Sequence, residues 1–310
     1  MKDQLVTVFG GSGFLGRYVV RALLAKGARV RVAARSRSDG WFLKTQANLG
    51  QIQFVAADVR KPETVARALV GATAAVNLVG ILKGDFNAFH VDGARNVAEA
   101  AAKAGCGALV QVSAIGADPA SASRYGKSKG EGEAAVLAAF PAATILRPSI
   151  VFGREDSFVN RFADLIALLP VVPIIRGPAK FQPVYVGDVA DAIVAALADP
   201  AAHGGKTYEL GGPEILTMEG LNRWIAKATG RTKAFLAMPD AVGGAMASLI
   251  GWLPGAPMTR DQWLMLQSDN VVTGADGLNA LGIAPTPIEA VADGWLLVYR
   301  RNGRFAEVKG

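Results

Sequence analysis

The chain has 310 residues, 51% of them hydrophobic and only 19% charged, which excludes a disordered chain and leaves room for one large domain or two modest ones. Its single cysteine, Cys106, excludes an intrachain disulfide and a cysteine-cluster metal site and suits a reducing compartment. A formal charge of +7 admits an anionic partner, but no basic run is interleaved with aromatics, so no nucleic acid is expected.

Met1-Lys2-Asp3-Gln4 leads straight into an apolar strand, without the order of a signal peptide, so a cytoplasmic chain is expected. Leu5–Phe9 reads as a buried parallel strand. A glycine-rich turn follows, then a helix with apolar residues at Leu15, Val19, Leu23 and Leu24, stopped near Gly27. Val30 and Val32 mark a second strand and Ile52–Ala56 a third, with Pro62 suited to the first turn of the next helix. Strands at 74–78, 109–113 and 144–146 alternate with helices at 94–104 and 124–138. This alternation predicts an α/β fold, a doubly wound parallel sheet with helices on both faces.

The pattern loosens after Gly153. A helix is expected over 158–169, broken by Pro170 and Pro173, with strands at 184–186 and 208–210. Thr217 is placed to cap the helix Met218–Ala228, closed by Gly230. The chain thus divides at 1–153, a dinucleotide-binding domain, and 154–310, a mixed region that completes the sheet and forms a smaller C-terminal lobe. No charged residue lies between Asp240 and Arg260. Its glycines and prolines argue against a continuous membrane span, leaving a buried helix with a loop, or an apolar surface for a membrane or partner. His90 and His203, the only histidines, read as structural or solvated groups.

Gly10-Gly11-Ser12-Gly13-Phe14-Leu15-Gly16 lies directly between strand and helix. Gly10 permits the tight turn, Gly13 lets the backbone approach a pyrophosphate, and Gly16 lets helix pack on strand. The helix N-terminus offers free N–H groups to the phosphates. An acid after the second strand would favour NAD, but the chain has Arg35-Ser36-Arg37 there. A guanidinium suits a 2′-phosphate, so NADPH is expected over NADH. Asp58 is suited to the adenine amino group or to capping its own turn.

Together with Asp58-Val59, Asn77-Leu78-Val79-Gly80, Tyr125-Gly126-Lys127-Ser128-Lys129, Leu146-Arg147-Pro148 and Val184-Tyr185-Val186-Gly187-Asp188, the glycine turn resembles the extended and atypical short-chain dehydrogenase/reductase family. The resemblance covers most of the chain and implies a Rossmann fold. It implies cofactor contacts at the glycine turn, Leu78, Val79, Gly80, Val112 and Pro148. It also implies Tyr125 as general acid/base and Lys129 as the group that lowers the tyrosine pKa and holds the nicotinamide ribose. Residues at i and i+4 share a helix face, as that pairing needs.

The family's third element is a serine or threonine that holds the reacting oxygen. Ala114 or Ile115 occupies that place here, with Ser113 nearer the cofactor, and an apolar side chain donates no hydrogen bond. The set Ser113, Tyr125 and Lys129 is therefore incomplete. Pro257-Met258-Thr259-Arg260-Asp261-Gln262-Trp263-Leu264-Met265-Leu266 and Ser268-Asp269-Asn270-Val271-Val272 are similar to the Rossmann-fold accessory subunit of respiratory complex I and its bacterial relatives. That resemblance implies NADPH held structurally or as a sensor. It also implies peripheral contact at the inner membrane near the quinone region, through about 241–259, or with a complex I-like assembly. The alternative is an active NADPH-dependent reductase, epimerase or dehydratase acting on a small or isoprenoid substrate, and a third reading is a redox-sensing regulator.

Overall fold

The computed structural model describes all residues except 250, 254–257, 302 and 304–310. The chain forms two compact units that interleave in sequence. One comprises Met1–Pro148, Val186–Leu210 and Thr273–Ala284; the other comprises Ser149–Tyr185, Gly211–Val272 and Pro285–Gly310.

The first unit is built on β1 (Leu5–Phe9), β2 (Arg29–Ala34), β3 (Ile52–Ala56), β4 (Ala74–Asn77), β5 (Ala108–Val112) and β6 (Thr144–Pro148). With the strand Thr207–Leu210 they form a seven-stranded parallel sheet, ordered Thr207–Leu210, β6, β5, β4, β1, β2, β3. Its central strands are covered on both faces: every residue of β4 and β5 is buried, apolar but for Asn77 and Gln111, which bond each other. Helix α1 (Phe14–Ala25) packs with Val186–Ala198, whereas α2 (Pro62–Leu69), α3 (Gly93–Lys103) and α4 (Arg124–Ala139) pack side by side. Phe9, Leu69, Val97, Leu109, Val136 and Ile145 fill the core beneath that second layer. Strand order reverses between β1 and β4, and ligands bind in the crevice that such a reversal opens.

Two local expectations are refined for identifiable reasons. The 184–186 segment was expected to be one strand, but only Val184–Tyr185 pairs, with Val151–Phe152, and the helix Val186–Ala198 starts at once. Val189, Ile193, Val194 and Leu197 belong to that helix, whose nine buried residues override the β-preference of its valines. The helix expected over 158–169 runs Val159–Leu168 and stops before Pro170 and Pro173 as expected, and Pro173 lies within the strand Val171–Ile175, which pairs with Ala234–Met238. That sheet has only two strands, and Pro173 is exposed on it, where the missing N–H costs little.

The second unit gathers the helices Val159–Leu168, Met218–Ala228 and Ile288–Leu296 around Phe152, Ile166, Phe181, Leu221, Ile225 and Leu296. Thr217 caps Met218–Ala228 by accepting from the Gly220 N–H. The helix Asp240–Leu249 corrects the buried-helix reading of the uncharged stretch. Only Gly243 and Ala247 of this helix are buried. Val242, Leu249, Trp252 and Leu253 are exposed, Trp252 to 77%. Two small residues make a footprint too narrow to bury the rest of an apolar helix. Of the 241–259 stretch, residues 250 and 254–257 lie outside the described residues.

Candidate functional site

The site is assembled on the first unit, at the carboxyl ends of β1, β2, β4 and β5. Gly10 has φ +78°, a left-handed conformation that glycine adopts without strain, and its N–H donates to the Ala33 carbonyl at 3.1 Å. At the foot of this turn the Leu78 N–H donates to the Phe9 carbonyl at 3.0 Å, which sets the loop after β4 beside the glycines. A Cβ on Gly16 would overlap the Gly10 oxygen and the Gly11 backbone, so α1 packs this close only because the side chain is absent. Gly11 and Gly16 are buried, Ser12, Phe14 and Leu15 half-buried, and Gly13 exposed. Gly13 caps α1 with no side-chain hydrogen bond, and no acid occupies the first turn. The helix therefore presents unshielded N–H groups and a positive dipole end, which fits the pyrophosphate of a dinucleotide.

Arg35, Ser36 and Arg37 follow β2 and are all exposed. Ser36 Oγ lies 2.8 Å from Ser38 Oγ, and neither arginine forms an ion pair among the described residues. Sequence reasoning overlooked Arg17. Its guanidinium stacks 4.9 Å from the Phe42 ring, which brings the first turn of α1 against the 3₁₀ helix Arg37–Gln46. Its position directly after Gly16 was the available signal.

Asp58 caps its own turn: its carboxylate accepts from the Arg60 N–H at 3.0 Å and pairs with the Arg60 guanidinium at 2.6 Å. That hydrogen bond holds the Asp58 carboxyl below the usual carboxylate range. Val59 is buried, and its carbonyl accepts from Asn96 Nδ2 at 2.8 Å.

A buried polar chain ties β4 to β5 and α4. The Val79 N–H donates to Asn77 Oδ1 (3.1 Å), Asn77 Nδ2 to Gln111 Oε1 (2.8 Å), and Gln111 Nε2 to the Val112 carbonyl (3.1 Å). Lys129 Nζ donates to that same carbonyl at 3.4 Å. A Cβ on Gly80 would lie 3.3 Å from Lys129 Nζ, so the exposed Gly80 stands directly beside the ammonium. Burial pushes the Lys129 pKa down to about 8, opposed by the Glu133 carboxylate, which itself holds Arg147 in a bidentate pair at 2.9 and 2.6 Å.

Tyr125 and Lys129 share the inner face of α4, whose first turn Ser123 caps by accepting from the Gly126 N–H. Lys129 Nζ lies 5.9 Å from the Tyr125 ring centroid. Burial pushes the Tyr125 phenol up to about 12, away from the range of a working acid/base. Ser113 is buried, its N–H donates to the Leu146 carbonyl at 2.7 Å, and its Oγ has no partner among the described residues. An orphaned hydroxyl here fits a ligand that supplies the missing hydrogen bond. Ile115 is buried, and its N–H donates to the carbonyl of the buried Pro148 at 3.1 Å. Beside these groups lies His90, which the sequence offered only as a structural or solvated residue.

Comparison with known proteins agrees with this geometry. The model of the NAD dependent epimerase/dehydratase family matches residues 6–211. The chain is 37% identical to the mouse (Mus musculus) mitochondrial NADH dehydrogenase [ubiquinone] 1 alpha subcomplex subunit 9, over 92% of this chain and 78% of that protein. Identity to the Arabidopsis thaliana protein of the same name is 33%, over 96% of this chain and 79% of the other. Among solved structures, an NADPH-dependent quinone oxidoreductase of Escherichia coli with NADPH superposes with a TM-score of 0.75 at 21% identity, over 93% of this chain and 98% of that one. With the family matched across two thirds of its length and a dinucleotide cradle intact at its N-terminus, the chain belongs to the NAD dependent epimerase/dehydratase family and binds a nicotinamide dinucleotide.

Proposed function

We propose that this chain holds NADPH, rather than NADH, as a resident structural or redox-sensing group, and that it turns the cofactor over slowly or not at all. Gly10, Gly11, Ser12, Gly13, Phe14, Leu15 and Gly16 would cradle the pyrophosphate. Arg35, Ser36 and Arg37 would hold the 2′-phosphate, since the exposed Arg35 and Arg37 form no ion pair among the described residues, and Arg17, stacked on Phe42, would border the same phosphate. Asp58 and Val59 would border the adenine. Leu78, Val79, Gly80, Val112 and Pro148 would line the path to the nicotinamide, with Tyr125 and Lys129 at its ribose.

When bound, the nicotinamide supplies hydride chemistry. The chain's own residues decide whether a substrate can use it. The observation that carries the resident-cofactor reading is the pair Ala114-Ile115 after β5, apolar at the place where a reductase needs a hydroxyl to hold the reacting oxygen, with Ile115 buried. Burial raises the Tyr125 phenol to about 12, which disfavours its phenolate.

The reading extends to a partner. Relatives named as mitochondrial NADH dehydrogenase [ubiquinone] subunits support a complex I-like assembly, or peripheral attachment of a cytoplasmic chain at the inner membrane. The exposed Leu249, Trp252 and Leu253 supply an apolar surface for it. Among the described residues no helix is long and apolar enough to cross a membrane. Two experiments test the proposal. The first is NADPH oxidation with quinones and small carbonyls by wild type and Tyr125→Phe. No turnover by either, with bound NADPH retained, supports a resident cofactor, whereas turnover lost in Tyr125→Phe overturns it in favour of a reductase. The second is vesicle flotation of Leu249→Asp with Trp252→Asp, which fails the surface assignment if the double variant floats as wild type does.

A further inference from the structure

Two residues bond His90 through its two ring nitrogens, and with the bond that Ser128 makes in turn they fix its proton. The Ile81 N–H donates to Nε2 at 2.9 Å, so Nε2 carries no hydrogen. Nδ1 therefore carries it and donates to Ser128 Oγ at 2.9 Å. Ser128 Oγ in turn donates to the Tyr125 carbonyl at 2.9 Å, one turn back along α4. Every donor and acceptor in this line is assigned by the geometry.

The histidine is delivered by the π-helical turn Asn87–Asp92, a wide turn set directly before α3. Such insertions are rare and recur at functional positions. His90 is 3% exposed. Its ring stacks on Phe86 (centroids 5.5 Å, 17°) and meets Tyr125 edge-on (5.5 Å, 90°). Burial and the neighbouring Lys129 hold its pKa down to about 3, so it stays neutral and keeps the one tautomer the three bonds require.

The loop after β4 is thus fastened at two points. Val79 is tied through Asn77 and Gln111 to the Val112 carbonyl that also takes Lys129, and Ile81 is tied through His90 and Ser128 to α4. Gly80, beside Lys129 Nζ, lies between the two fastenings, while residues 82–85 beyond them are exposed. We propose that His90 is a positioning residue that, through Ser128, latches the loop after β4 to α4 and so holds Gly80, Tyr125 and Lys129 in register for the nicotinamide half of the cofactor. The latch rests on the placement of that half given under Proposed function.

The test is isothermal titration calorimetry of the nucleotide-depleted full chain with NADPH and with 2′,5′-ADP, which carries the 2′-phosphate but no nicotinamide. His90→Phe keeps an aromatic ring on Phe86 and removes both hydrogen bonds. Ser128→Ala opens the latch from the α4 side. His90→Gln restores an acceptor for the Ile81 N–H. We expect His90→Phe and Ser128→Ala to weaken NADPH about 10- to 100-fold, the loss that follows from stranding one buried donor. Affinity for 2′,5′-ADP should hold within about 2-fold in both, since a hydrogen bond made only at the far end of the cofactor does not reach it. His90→Gln should regain most of the NADPH affinity. Wild-type NADPH affinity in both disrupted variants, or equal loss of both ligands, overturns the latch and leaves the cofactor reading standing. Wild-type protein that binds neither ligand overturns the cofactor reading and the latch with it.

Discussion

Lys129 Nζ lies 3.4 Å from the Val112 carbonyl oxygen, a contact that places a buried ammonium between α4 and the end of β5. Desolvation lowers its folded pKa from 10.5 to about 8. Between those values the unfolded chain binds more protons, so stability rises with pH from about 8 to about 10. Below pH 8 the buried charge costs up to about 3 kcal/mol, at 1.36 kcal/mol per pKa unit. Urea unfolding of the cofactor-free chain should therefore show an alkaline rise in stability. Lys129→Met should flatten that rise and raise stability at pH 7, while weakening NADPH. An unchanged slope in the variant would assign the pH effect elsewhere.

His90 gives the opposite arm of the profile. Its folded pKa of about 3 lies below the usual imidazole value of 6.5, so the unfolded chain takes up the proton first and stability falls as pH drops below about 6.5. The expected slope is about 1.4 kcal/mol per pH unit from this residue alone. His90→Gln should remove that part of the acid loss, measured as the difference in unfolding midpoint between pH 7 and pH 5.

Gly16→Ala tests the cradle. The added methyl would overlap the Gly10 oxygen and Gly11 backbone, neither of which can give way as a side-chain tip does. Overpacking of this kind costs about 1–3 kcal/mol. The variant should unfold at lower denaturant and lose nucleotide binding, while Gly274→Ala, whose added Cβ meets no atom within 4 Å and whose φ, like that of Gly16, is not left-handed, serves as the control. Retained NADPH affinity in Gly16→Ala would reject the close approach.

Arg35→Ala tests cofactor choice. A charge-assisted bond to the 2′-phosphate is worth about 1.5–3 kcal/mol, which predicts a loss of about 10- to 100-fold for NADPH. NADH, which lacks that phosphate, should change by less than about 3-fold, being uncharged at the position the arginine reaches. Equal loss for both dinucleotides would move the arginine's role away from the 2′ position.

The Glu133–Arg147 pair is mostly buried on the carboxylate side, with side-chain exposures of 9% and 27%. Arg147→Ala should destabilise the chain by about 3 kcal/mol, because an uncompensated carboxylate is left inside. Glu133→Leu with Arg147→Met should recover most of that loss in thermal unfolding. A double variant no better than the single one would show that the pair contributes beyond its own compensation.

The legible parts of this fold were those written locally. The strand Leu5–Phe9, the glycine turn and α1 follow one another in sequence and in space, and apolar periodicity marked the rest of the parallel sheet. The helix Val186–Ala198 was hidden because its β-branched residues suit a strand and only burial against α1 makes it helical. Asn77 and Ser128 stood inside recognised motifs without a role of their own, and Gln111 and His90 carried no local signal. Their meaning lies in bonds that join residues 9 to 38 positions apart. Arg17 stood next to a recognised motif and was readable in principle.

The central claim is that NADPH resides in this chain. Native mass spectrometry of the purified full chain, followed by denaturation and identification of the released nucleotide, tests it most directly. The account predicts a mass increment that denaturation releases as NADPH, near one per chain, and that candidate carbonyl substrates do not oxidise. NADH in the released fraction, or a chain that is nucleotide-free and exchanges NADPH rapidly, would contradict it.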